Sequence, residues 1–96
     1  MNSSLGTLEQ LLAFSEAMLG AAERGEWESL ASHEAARRAL VAALPADLAH
    51  NLAPTTQARA RALVERCQDC DAALRPLVDR RLQELRVVLR EAPSAV

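Results

Sequence analysis

The chain reads as an all-α protein: an antiparallel αα-hairpin followed by a long third helix, in a three- to four-helix bundle. Three observations predict it. Half of the 96 residues are apolar, and they include twenty Ala and sixteen Leu but no Ile and no Tyr. Ala and Leu favour helices, and the β-branched and aromatic residues that strands use are scarce. Apolar positions recur three and four apart through most of the chain. The third observation is Gly25, which stands where one such pattern stops and the next begins at Trp27. A C′ position wants a left-handed backbone that glycine adopts without a Cβ clash. One or two connecting residues force the flanking helices to fold back on each other.

Helix 1 is expected over 8–24. Thr7-Leu8-Glu9-Gln10 reads as a capping box, with the Thr7 hydroxyl accepting from the N3 amide and Gln10 reaching back. A start at Ser3 or Ser4 would place Gly6 inside the helix, at about 1 kcal/mol relative to Ala. Its stripe is Leu8, Leu12, Ser15, Leu19 and Ala22, widened by Leu11, Phe14 and Met18. That width predicts contact with more than one neighbour.

Helix 2 is expected over 27–44, opened by Trp27, the chain's only tryptophan and its largest apolar plug. Ala31, Ala35, Ala39 and Ala42 make a small-residue face that a neighbouring helix could approach closely. Glu34 and Arg37 stand where a pure core would have Leu. They read either as solvated edge residues with apolar stems or as a polar contact that fixes register or engages a partner. Pro45 ends the helix, and 45–54 is the linker.

Helix 3 is expected over 55–91. Leu63, Cys67, Cys70, Leu74 and Leu77 follow 4-3-4-3 spacing, and Val78, Leu82, Leu85 and Val88 or Leu89 continue it shifted by one residue. Pro76 lies inside this run and predicts a kink near 76, because proline removes one helical hydrogen bond and disfavours helical geometry at Arg75. At 1.5 Å per residue the hairpin helices span about 26 Å and helix 3 about 54 Å. Half of helix 3 therefore outruns the hairpin. Its apolar side chains, worth on the order of 10 kcal/mol gross when buried, need a cover. A break at Pro76 into a four-helix unit, a dimer or a client helix would each supply one.

Composition excludes several functions. Eleven basic and thirteen acidic residues are interspersed, for a net charge of about −2. That argues against nucleic acid as the main partner, and no aromatic residue stands near Arg80, Arg81, Arg86 and Arg90 to stack bases. No apolar run reaches the roughly 20 residues of a membrane span, and Met1-Asn2-Ser3-Ser4 lacks the character of a signal peptide, so a cytoplasmic location is expected. Cys67-Gln68-Asp69-Cys70 is a CxxC, but it lies inside helix 3 on the apolar seam, not at a helix N-terminus. Zinc needs about four ligands, and His33 and His50 lack paired spacing. Core cysteines are the better reading, and no catalytic residues, metal or cofactor are expected.

From Met18 the chain reads M-L-x-x-A-x-x-G-x-W-x-x-L-x-x-x-E, ending at Glu34, and Leu77 to Leu85 reads L-x-x-R-x-L-x-E-L. The hairpin pattern resembles that of the flagellar protein FliT family, and the later helix is similar to that family's final L-x-x-R-L-x-E-L pattern. The resemblance covers most of 8–90. It implies a type III export chaperone that holds the filament cap protein FliD in the cytoplasm and presents it to the export ATPase complex. It also implies homodimers. Longer members carry a further C-terminal helix over the binding surface, and some bind the regulator FlhDC. The sequence reaches Val96 without that helix, which leaves FlhDC a doubtful partner. The expected client site lies between helices 2 and 3, with Leu40 and Leu44 as one wall and Leu74, Val78, Leu82, Leu85 and Leu89 as the other. Trp27 and Glu34 belong to the scaffold. The rival classes are a structural helical dimer or adaptor without a client, and a small CxxC redox or metal protein.

Overall fold

The computed structural model describes residues 4–44 and 53–91. It contains α1 (Ser4–Glu23), α2 (Trp27–Ala42) and α3 (Pro54–Glu91). These helices pack as an all-α bundle, with no strand among the described residues. The predicted linker falls mostly outside them.

α1 starts a turn earlier than the capping box at Thr7 predicts. Gly6 and Thr7 both lie inside the helix. The reason is Leu5, which packs against the buried cluster of Leu8, Leu11, Leu12 and Leu63. Burying that side chain outweighs the roughly 1 kcal/mol cost of an interior glycine.

The hairpin turn follows its chemistry. Gly25 has φ 71°. Its amide bonds the Ala22 carbonyl at 3.1 Å, and the Glu26 amide bonds the Ala21 carbonyl at 2.8 Å. Together these are the paired bonds of a Schellman motif, which satisfy carbonyls that the end of α1 would otherwise leave open. Glu26 precedes α2 without a side-chain cap, and its carboxylate instead meets the Arg24 Nε at 2.6 Å. At the other end α2 stops at Ala42, and the Leu44 amide still reaches the Val41 carbonyl at 3.1 Å.

α3 is one helix of 38 residues that runs through Pro76. The break that would have made a four-helix unit does not occur. Pro76 is exposed, and so is Ala72, whose carbonyl loses its usual amide partner. Water can serve that carbonyl, which lowers the cost of keeping the helix whole.

The core forms two clusters strung along α1. At one end Leu8, Leu11, Leu12 and Leu63 are buried, with Leu40, Leu44, Cys67 and Cys70 against them. At the other, Met18, Ala22 and Leu74 are buried, with Trp27, Leu30, Leu77 and Val78 packed on them. Low-numbered α1 residues meet low-numbered α3 residues, so α1 and α3 run parallel and α2 runs antiparallel to both. α1 packs directly on each of the others, while no Cα of α2 comes within 8 Å of one in α3. The wide α1 stripe thus serves two neighbours. The face of Ala31, Ala35, Ala39 and Ala42 points to solvent, and no described helix lies on it.

Candidate partner-binding site

Side chains bridge α2 and α3 where the backbones do not. Arg37 Nη1 donates to Ser15 Oγ at 3.1 Å and to Asp71 Oδ1 at 2.7 Å. Ser15 is 1% exposed, so its hydroxyl supplies the guanidinium with an acceptor deep in the bundle. Arg37 is therefore the polar contact among the two readings of that position. Glu34 turns back to Arg38 of its own helix, at 2.7 Å. Nearer the turn, Arg81 lies over the Trp27 ring, 5.7 Å from its centre. From Arg37 back to Trp27 and from Asp71 on to Arg81 is ten residues in each helix. These two contacts fix the antiparallel register of α2 and α3.

The hairpin ends at the level of Arg81, and α3 does not. About ten residues, or roughly 15 Å of helix, continue to Glu91. On this projecting end Leu82 is 45% exposed, Leu85 38%, Val88 62% and Leu89 75%. At its base is an open cleft of about 410 Å³, lined by Gly25, Glu26, Trp27, Glu28, Ser29 and Arg81. Arg81 also approaches Glu84 at 3.7 Å. Arg80, Arg86 and Arg90 are exposed beside the stripe.

The one-residue shift in the α3 pattern has a physical meaning. Leu63, Cys67, Cys70, Leu74 and Leu77 face α1. A shift by one residue turns the next stripe about 100° around the helix. Val78 still touches the second cluster, but the residues after it point where α1 offers nothing.

The expected site residues are accordingly dispersed. Leu74 is 8% exposed and belongs to the core. Val78 packs on that core, half-buried. Leu82, Leu85 and Leu89 share the uncovered stripe. Leu40 and Leu44 pack on the cluster that holds Leu63, a residue about 28 Å along α3 from Leu82. The structure does not bring those two walls face to face, because α2 runs away from the projecting end. The Trp27–Arg81 cleft was absent from the sequence reading, which placed Trp27 in the scaffold alone. No short-range signal could have paired residues so distant in the chain.

Cys67 and Cys70 are free thiols, both half-buried. Burial pushes each above its ordinary pKa; nearby carboxylates, including Glu16 and Asp71, push the same way, while the Ser15 hydrogen bond partly offsets the rise at Cys67. A redox thiol needs the opposite shift. No group of three or more His, Cys, Asp or Glu among the described residues could hold a metal ion. His33 stacks at a tilt near Phe14, ring centres 6.5 Å apart. His50 lies outside the described residues.

A model of one family, flagellar protein FliT, matches residues 5–94. The chain belongs to the FliT family. The match spans both core clusters and the projecting end of α3, so FliT membership applies to the bundle as a whole. No curated protein and no solved structure matches the chain. None of its described helices is long and apolar enough to cross a membrane.

Proposed function

We propose that this FliT-family protein is a cytoplasmic export chaperone that binds the filament cap protein FliD and presents it to the type III export apparatus, with the export ATPase complex as a further partner. The observation that carries the reading is the uncovered stripe of Leu82, Leu85, Val88 and Leu89 on a helix end that outruns its own bundle. Covering four such side chains is worth on the order of 5 kcal/mol gross. An amphipathic client helix can supply that cover, with apolar anchors at three- and four-residue spacing. Val78 forms the base of the site, and Leu74 supports it from beneath. Leu40 and Leu44 join only for a client segment that runs the length of the bundle. This is a binding function without catalysis or cofactor.

A homodimer is the second reading, since a second copy could cover the same stripe. Sedimentation equilibrium separates the two, run on the pure protein and again with the C-terminal segment of FliD from the same organism. A dimer that splits on adding the client, or a monomer that gains one client, supports the chaperone. A tight dimer that binds no client at about 50 µM supports the structural dimer. Replacing Leu82 and Leu85 by Asp should abolish client binding. If binding survives that change, the site lies elsewhere.

A further inference from the structure

We propose that α2 is a strap that opens as a unit from a two-helix core formed by α1 and α3. The inference does not depend on the identity of any client. Every buried side chain among the described residues sits on α1 or α3, and α2 contributes none. The inner face of α2 offers only half-buried groups, among them Trp27, Leu30, Arg37 and Leu40, and Leu44 just past its end is half-buried as well. Its outer alanine face is bare, so nothing among the described residues holds it from behind. The Cα atoms of α2 stay beyond 8 Å from those of α3, and α1 alone carries its backbone packing.

The fastening of α2 to α3 is light and local, made by side chains alone: Arg81 over Trp27 near the turn and Arg37 on Asp71 farther along. At mid-helix Arg37 reaches Ser15 and Asp71, and the Asp71 side chain is 45% exposed. Water weakens such a pair, so it positions α2 more than it anchors it. At the turn Gly25 supplies a pivot, with φ 71° and open space around its Cβ position. Elements with few buried contacts open at lower free energy than the core that carries them. Opening uncovers the sides of both core clusters on which Trp27, Leu30, Leu40 and Leu44 now lie. The α1–α3 core keeps Leu63 and Leu74 in place while it does so.

Amide hydrogen exchange on the full chain, read residue by residue by NMR, tests this. The hydrogen-bonded amides of α2 should exchange as a block, at least about tenfold faster than those near Leu12, Met18, Leu63 and Leu74. Asp71→Ala should speed α2 a further three- to tenfold or so and change those core amides by less than about twofold. The variant puts a good helix former at a half-buried helix position, so the fold survives it. One shared exchange rate for all three helices would overturn the proposal. So would an Asp71→Ala variant that speeds all three helices equally or leaves α2 unchanged.

Discussion

The Arg81 guanidinium lies over the Trp27 indole, 5.7 Å from the ring centre, and ties the start of α2 to the point where α3 leaves the bundle. A partly exposed cation–π contact is worth about 0.5–1 kcal/mol. Arg81→Ala should cost that much and shift the fluorescence of the only tryptophan. Trp27→Ala should cost about 2–3 kcal/mol, less than a fully buried aromatic, because Trp27 is half-buried on the second cluster. Urea unfolding followed by circular dichroism measures both.

Gly25 isolates a backbone effect. Nothing lies within 4 Å of where its Cβ would be, so a methyl group meets no clash with a neighbour. The φ of 71° alone penalises it. Gly25→Ala should therefore lower stability by about 1–2 kcal/mol. In a domain of this size that is a fall in Tm of roughly 4–8 °C per kcal/mol. An unchanged Tm would mean that the turn relaxes to another conformation.

Ser15 tests the polar bridge from inside. Its hydroxyl accepts from Arg37 at 3.1 Å and is 1% exposed. Ser15→Ala removes that acceptor and should cost about 1–2 kcal/mol, with Arg37 still held by Asp71. Equilibrium unfolding that matched the parent protein would show the hydroxyl to be dispensable.

Leu74 and Leu85 share a helix and differ in cover. Leu74 is 8% exposed and Leu85 38%. Leu74→Ala should cost about 2–4 kcal/mol. Leu85→Ala in the isolated protein should stay within about 1 kcal/mol and show its effect on partner binding instead. Equal losses of stability would mean that the projecting end is already covered in solution.

The cysteines predict a pH dependence. Burial raises both thiol pKa values in the folded state. The unfolded chain therefore releases these protons first as pH rises. Below about 8.5, the ordinary cysteine value, both states are protonated and stability is unaffected. Above it the unfolded state binds fewer protons than the folded one, so stability falls until the folded thiols ionise as well. A Cys67→Ser, Cys70→Ser double variant should lose that alkaline decline, as unfolding at pH 7 and pH 10 would show. Both thiols should also alkylate more slowly at neutral pH than a free cysteine.

Much of the fold was readable residue by residue. The Ala and Leu excess meant helices, Gly25 marked the turn, and the shift between Leu77 and Val78 marked where the α3 stripe rotates. Local chemistry sets all three. The start of α1 was misjudged because the Thr7 cap competes with burial of Leu5, a tertiary term that no capping pattern contains.

The candidate site was readable only in part, because it depends on where helices end relative to one another. Leu82, Leu85 and Leu89 could be named as uncovered from helix lengths alone. Their separation from Leu40 and Leu44 could not, since it follows from α1 and α3 running parallel while α2 runs back. Nor could the pairing of Arg37 with Asp71 or of Trp27 with Arg81, because periodicity says which face a residue occupies and nothing about its level along a neighbour. By itself the sequence determined the helices, the hairpin turn and the stripe without a partner, since those arise from backbone preference and 3.6-residue spacing. Only the tertiary structure decided direction, register and the level at which α3 leaves the bundle, since those arise from packing between distant segments.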